Sequence, residues 1–251
     1  MALSVGMTAL VCAGTFVGGL VDSMAGGGGL ITLPVYFLTG LPAHTALGTN
    51  KISANCGALI SSLRYAKNSC VPWRAALPGM AASILGALLG ARLVLLVSGR
   101  VLQYLLVALL PVIALVVLRD KNMDAPAGAR SRGRMAALIA LIFLVGVYDG
   151  FYGPGAGTFY LLLLVKLGRF DTRSASGAMK WINLGSGLGS LVVFFLSGNA
   201  LIWLGLLAGA ASVAGSYVGT GLVIKRGARA VRPVILLVLA ILFLKVASGL
   251  L

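Results

Sequence analysis

Asp22-Ser23-Met24-Ala25-Gly26-Gly27-Gly28-Gly29 returns in the second half of the chain as Asp149-Gly150-Phe151-Tyr152-Gly153-Pro154-Gly155-Ala156. Downstream, Ala46-Leu47-Gly48-Thr49-Asn50-Lys51 returns as Ala175-Ser176-Gly177-Ala178-Met179-Lys180, at a slightly wider spacing. Ala81-Ala82-Ser83, Gly86, Gly90, Leu93 and Val94 return as Ala210-Ala211-Ser212, Gly215, Gly219, Leu222 and Val223, at that same wider spacing. A two-residue insertion between the first and second blocks accounts for the change. The chain is therefore a duplication, and self-similarity on this scale in a very apolar sequence points to a membrane transporter built from two related halves.

Composition sets the solvent. Hydrophobic residues make up 59% of the 251, and charged residues only 10%. A water-soluble chain of this length carries far more charge. Lipid offers no partner to backbone N–H and C=O groups, which leaves helices or closed barrels. The apolar runs are continuous and rich in Leu, Ala and Gly, without the alternation of a barrel strand. The expectation is an all-α polytopic membrane protein. With no basic stretch ahead of it, the first run reads as a retained helix and not a cleaved leader.

Ten apolar segments are expected, near 4–21, 30–40, 45–63, 75–97, 101–118, 135–149, 155–167, 175–197, 200–222 and 233–250. The second, sixth and seventh fall short of the about 20 residues that cross about 30 Å of hydrocarbon. Each adjoins a glycine-rich break, so broken helices or re-entrant hairpins are expected there. Residues 1–118 form a first repeat, 119–134 a basic cytoplasmic linker and 135–251 a second repeat. Five segments per half is an odd number, so the halves face opposite ways: a 5+5 inverted-topology repeat.

The net charge of +15 serves this topology. Fifteen of the 20 basic residues follow segments three, five, seven and nine: Arg64, Lys67 and Arg74; Arg119, Lys121, Arg130, Arg132 and Arg134; Lys166, Arg169 and Arg173; Lys225, Arg226, Arg229 and Arg232. All four loops lie on one face if every segment reverses the chain, and the positive-inside rule makes that face cytoplasmic. No basic and aromatic interleaving marks a nucleic-acid surface. Cys12, Cys56 and Cys70 lack metal-ligand spacing and read as small buried residues. The glycine pairs Gly14/Gly18, Gly86/Gly90, Gly185/Gly189, Gly205/Gly209 and Gly215/Gly219 read as close helix contacts.

The doubled pattern of Asp, glycine cluster, short helix and Ala-x-Gly-x-x-Lys resembles the TauE/SafE family of sulfite exporters, also called the toluene sulfonate uptake permease family. The resemblance covers nearly the whole chain. It implies secondary transport of a small sulfur-containing anion (sulfonate, sulfite or a related organosulfur anion) across the inner or plasma membrane, in either direction. Here the second glycine cluster is interrupted by Pro154 and Ala156, so the halves are not expected to contribute equally.

Read by themselves, the residues offer an anion site. Gly26, Gly27, Gly28 and Gly29, with Gly153, Gly155 and Gly157, free backbone amides at the start of two short helices, where N–H groups and the dipole favour an anion. The alternative is tight packing at a kink. A P-loop is excluded, because no strand precedes the glycines and no Gly-Lys-Ser/Thr follows. Lys51 and Lys180 lie about two turns into matched segments, a depth that costs about 2.5–3.5 kcal/mol on insertion scales unless a cavity or partner receives the charge. They neutralise an anion, snorkel, or pair with Asp22 or Asp149. Asn50 and Asn183, with Thr49, Ser53 and Asn55, stand ready to hydrogen-bond oxygens. Asp22 and Asp149, two of five acids in a chain without glutamate, cap amides, pair with a lysine or carry a coupling proton. Tyr148, Phe151, Tyr152, Tyr160 and Trp181 form a candidate aromatic wall or interfacial anchors. His44 reads as a loop residue. No catalytic residue, metal site or cofactor is expected. The partners are lipid, a small anion and, as candidate coupling ion, the proton; a homo-oligomer is left open. An anion channel of the same architecture is the alternative, followed by an intramembrane enzyme using the two aspartates.

Overall fold

The computed structural model describes residues 3–99, 101–102 and 132–227. Segment ten, nearly all of segment five and the linker up to residue 131 lie outside the described residues. Eight helices are described, and no strand among them: α1 (Val5–Ala25), α2 (Gly29–Leu38), α3 (Ala43–Lys67), α4 (Trp73–Leu95), α5 (Arg132–Phe151), α6 (Ala156–Lys166), α7 (Thr172–Leu196) and α8 (Ile202–Arg226). The duplication is written into their boundaries. Helices α2 and α6 begin at matched positions of the repeat, at Gly29 and Ala156. Helices α3 and α7, each 25 residues long, begin at Ala43 and Thr172, matched once the two-residue insertion is counted.

Local chemistry sets the ends. Ser4 Oγ accepts from the Met7 amide and starts α1; Gly26, at φ +76°, stops it in the left-handed region that favours glycine. Asp171 Oδ1 accepts from the Arg173 and Ser174 amides and starts α7. Burial alone would raise the Asp171 carboxyl, but hydrogen bonds from the Ser174 side chain and from these amides outweigh it and hold the group below its usual range. Two expectations change. The sixth segment is not short: it runs 20 residues as α5 and takes in Arg132 and Arg134 of the expected linker. His44 is not in a loop but in the first turn of α3, its Nε2 3.1 Å from the Val94 carbonyl.

Among the described residues, five helices are long and apolar enough to cross a membrane: α1, α4, α5, α7 and α8. The helix α3 is as long but carries Thr49, Asn50, Lys51, Ser53, Asn55, Ser61 and Ser62, all buried. Its polar side chains are packed inside the bundle, while Leu59 and Leu63 form an exposed apolar edge.

Packing pairs the halves. All five glycine pairs meet another helix: Gly14 and Gly18 meet α2, Gly86 and Gly90 meet α5, Gly185 and Gly189 meet α4, Gly205 and Gly209 meet α3, and Gly215 and Gly219 meet α1. The helices α1 and α8 run parallel, Phe16 facing Gly215 and Ser23 facing Gly219. So do α4 and α5, with Gly86 at Phe143 and Gly90 at Val147 and Phe151. The equivalent helices α3 and α7 run antiparallel: Gly48 meets Asn199, Asn55 meets Gly187 and Cys70 meets Gly177. As a result the described members of the basic clusters, Arg64, Lys67 and Arg74, Arg132 and Arg134, Lys166, Arg169 and Arg173, and Lys225 and Arg226, gather at one end of the bundle.

Candidate functional site

The two glycine breaks touch. A Cβ on Gly26 would overlap the backbone of Gly157 and Thr158, and one on Gly157 would overlap Gly26. The Thr158 hydroxyl donates to the Ala25 carbonyl at 2.9 Å and ties α6 to the end of α1. Gly153 and Gly155, at φ +100° and +80°, turn the chain from α5 into α6, and the Tyr148 hydroxyl closes that turn on the Pro154 carbonyl at 2.6 Å.

Lys51 and Lys180 are each the ninth residue of a 25-residue helix. Each lies about four residues, hence about 6 Å, from its helix midpoint, and the antiparallel crossing brings them in from opposite sides. Their partners are exchanged between halves. Lys51 Nζ donates to Asp149 Oδ1 at 2.8 Å and to the Asp149 carbonyl at 2.7 Å. Lys180 Nζ donates to Asp22 Oδ2 at 2.5 Å, its single acceptor among the described residues. Both pairs thus join first half to second, where removal of a charge from water is compensated only by a close counter-charge.

The pairs are not equivalent. The Ser186 hydroxyl donates to Asp149 Oδ2, so both carboxylate oxygens are engaged. Asp22 Oδ1 receives only the Gly28 amide, at 3.3 Å, among the described residues. Side-chain exposure is 5% for Asp149 and 17% for Asp22.

A cavity lies between breaks and ion pairs, with about 60 Å³ open to water-sized molecules. One water requires roughly 10–15 Å³ on that measure, so the space suits a few waters or one compact anion. Gly26, Gly28, Gly29, Asn50, Lys51, Gly153, Gly157, Asn183, Asp22 and Asp149 line it. Gly27, Gly155 and Lys180 are not in its wall; Lys180 is fully buried behind Asp22. Of the five aromatics only Tyr152 reaches it. Tyr148 packs edge-on against Phe159, Trp181 lies against Trp73 and Tyr160 belongs to the apolar core. Three wall residues carry polar atoms without a hydrogen-bond partner among the described residues: Asn50 Oδ1, Asn55 Nδ2 and the Tyr152 hydroxyl, in side chains 6%, 8% and 1% exposed. Buried polar atoms are normally satisfied, and unmet ones beside a cavity invite a ligand or water.

Sequence reasoning missed Ser186 as the partner of Asp149, and missed Gly18, Gly19, Thr32 and Ser212 in the wall. The serine has a signal in the repeat: its counterpart in the first half is Gly57, so the two aspartates could never share one environment.

Apolar helices around a polar centre, broken at two glycine turns, define a multi-pass membrane protein of transporter type. The family model for the sulfite exporter TauE/SafE matches residues 10–246, and the chain belongs to that family. It is 36% identical over 233 residues to a probable membrane transporter protein, ORF9, of Sinorhizobium sp, covering 92% of this chain and 89% of that one. It is 34% identical over 228 residues to the probable membrane transporter protein YfcA of Escherichia coli strain K12, covering 90% and 84%. A probable membrane transporter protein of Haemophilus influenzae is 34% identical over 229 residues, covering 91% and 89%. No solved structure matches the chain.

Proposed function

We propose that this protein is a secondary transporter of a compact sulfur-containing anion, sulfite or a small sulfonate, working by alternating access of two inverted halves, 1–118 and 135–251. The observation that carries the reading is the cavity where the halves meet. Lysines from both halves converge on it, each held by an aspartate of the other half, and Asn55 Nδ2 and the Tyr152 hydroxyl stand unmatched in its wall. Donors without acceptors, close to buried ammonium groups, suit an oxyanion.

Antiparallel packing of α3 on α7, and the gathering of basic clusters at one end, support the inverted arrangement with that end in the cytoplasm. The size of the cavity favours sulfite or methanesulfonate over an aryl sulfonate. Asn50, Lys51, Gly153 and Asn183 contact the anion directly; Lys180 acts from behind Asp22. The glycines act chiefly by close approach, since the Gly28 amide is already given to Asp22.

An inside-negative potential opposes uptake of a single negative charge by about 2.3 kcal/mol per 100 mV. Export can run passively, whereas uptake requires a co-transported cation. Reconstitution in liposomes with labelled sulfite and methanesulfonate tests the proposal. Saturable counterflow, reduced at least about tenfold by Lys51→Ala or Lys180→Ala, is the expected result. Counterflow intact in both variants would remove the lysines from the mechanism. Unitary ohmic currents in planar bilayers would make the protein a channel.

A further inference from the structure

We propose that Asp22 is the coupling residue: a proton on its carboxylate releases Lys180 to the anion, so that one proton crosses with each monovalent anion. The inference rests on the anion-transport reading above and adds to it which residue carries the proton.

Charge balance is the starting point. Asp22, Lys51, Asp149 and Lys180 pair off within one site, and the four charges sum to zero. A neutral site with two carboxylates does not attract an anion. Neutralising one aspartate turns it into a site of net charge +1, so anion and proton favour each other's binding, and the linkage is reciprocal.

The structure distinguishes the two aspartates. Asp149 receives two kinds of donor on its carboxylate, Lys51 on Oδ1 and Ser186 on Oδ2, and Lys51 also grips its carbonyl. A proton added there must displace a bond already made. Asp22 Oδ1 holds only the long contact from the Gly28 amide, and its side chain is the more exposed of the two. The difference originates in the repeat, since Gly57 stands where an equivalent of Ser186 would be.

Lys180 is the other half of the device. It is wholly buried and outside the cavity wall, whereas Asp22 forms part of that wall. An ammonium has three donors, and Lys180 uses one, on Asp22. Once Asp22 is neutral its hold on Lys180 weakens, and the unused donors are free for an acceptor in the cavity. Among the described residues, the charges around Asp22 are few. Helix α7 contributes Lys180, α3 contributes Lys51 and α5 contributes Asp149. Gly28 just ahead of α2, Thr158 of α6 and Ser212 and Ser216 of α8 reach this stretch of α1, and the hydroxyl of Tyr65 from α3 is engaged on the Ser23 carbonyl.

The test uses methanesulfonate, which stays ionised throughout, and wild-type protein in liposomes loaded with a pH-sensitive dye. An inward methanesulfonate gradient should acidify the lumen by one proton per anion. Apparent affinity should fall as pH rises, because proton and anion favour each other's binding. In Asp22→Asn, affinity at about pH 8 should rise to the wild-type acid level and stay flat down to about pH 5.5, without acidification. Asp22→Glu should restore the slope. Methanesulfonate transport without lumen acidification, or a slope that survives in Asp22→Asn, would overturn the inference and leave the transport reading standing. If Asp22→Asn does not fold, Asp22→Glu decides: a pH profile of affinity superimposable on wild type would overturn the assignment to Asp22. Failure of the wild-type protein to move either methanesulfonate or sulfite at any pH would overturn both.

Discussion

The two ion pairs are repeats of one another in sequence and differ in structure. Lys51–Asp149 also borders the cavity but is fully bonded, with both carboxylate oxygens and the aspartate carbonyl engaged. Lys180–Asp22 has a buried lysine, a single strong bond and a carboxylate at the cavity wall. The lesson is that duplication supplies two of everything, and single substitutions between the copies then divide the labour. Where one copy has Ser186 the other has Gly57; where one has Tyr152 the other has Ala25. On the coupling proposed above, Lys51–Asp149 ties the halves together and Lys180–Asp22 is the pair that opens.

The largest expected difference comes from deleting a lysine. Lys51→Ala leaves the Asp149 carboxylate almost fully buried with Ser186 as its remaining side-chain donor. Breaking a buried pair by removing one partner costs about 3–5 kcal/mol. Thermal unfolding in detergent should show that loss. Asp22→Asn also leaves the buried Lys180 without a counter-charge, but it should cost less, because the amide oxygen still accepts from Lys180 at the more exposed position. Equal losses for the two would abolish the distinction between tie and opening pair. The double variant Lys51→Met with Asp149→Leu should recover most of the loss, since an apolar pair often replaces a buried ion pair without penalty.

The glycine clusters differ in the same manner. Gly29 corresponds to Ala156, so the second half already shows what an alanine does there. A Cβ on Gly29 would come 3.2 Å from Pro154 Cα, a tight but adjustable contact. Gly29→Ala should therefore be close to neutral. Gly26→Ala should cost about 2–4 kcal/mol, from the left-handed backbone and the collision with Gly157 together. Retained folded protein on size-exclusion chromatography checks both. A tolerated Gly26→Ala would mean that the two breaks do not need to touch.

Ser186→Ala comes next. It removes a hydrogen bond to a charged acceptor, with an expected loss of about 1.5–3 kcal/mol. It also makes the second half resemble the first at that position. The expectation is that methanesulfonate uptake then gains a second pH-dependent step, with Asp149 open to a proton as Asp22 is. A single unchanged step would show that Ser186 does not separate the two aspartates.

Most of the architecture was legible because the chain punctuates it. Gly26–Gly29, Pro42, Pro72, Gly153–Gly155 and Asp171 stop or start helices by backbone geometry and capping, which are local effects. The clustering of the basic residues was likewise legible, and the ten of them that are described gather at one end. The reading failed where local hydropathy and burial part company. The outer turns of α3 and α5 carry His44, Lys67, Arg132 and Arg134, polar residues that continue a helix beyond its apolar core. At the site, the participants were legible as residue types, since a lysine at matched depth in each half announces itself. Their pairing was not. Whether Lys51 meets Asp22 of its own half or Asp149 of the other depends on how α3 crosses α7, and crossing depends on small residues such as Gly187 under Asn55. Ser186 had one signal, its replacement by Gly57 in the other copy, but its role became readable only once Asp149 was placed beside it.

The smallest effect tests the comparison at a helix start. Asp171 is equivalent to Pro42, and both occupy the N-cap position of a 25-residue helix. Pro42 makes no side-chain cap, whereas Asp171 accepts from two amides. The helix α7 therefore depends on a titratable group for its first turn and α3 does not. Asp171→Ala should cost about 1 kcal/mol, and Asp171→Asn less. The pH dependence has a definite sign. The folded-state pKa of Asp171 is depressed, so its contribution is complete above the ordinary aspartate range and is lost as pH falls through the lower folded value. The difference in unfolding midpoint between wild type and Asp171→Ala should then shrink on acidification. A difference that stayed constant to low pH would assign the cap to geometry and not to charge. Because α7 also carries Lys180 two turns further on, the same variant asks whether the opening pair depends on how firmly its helix begins.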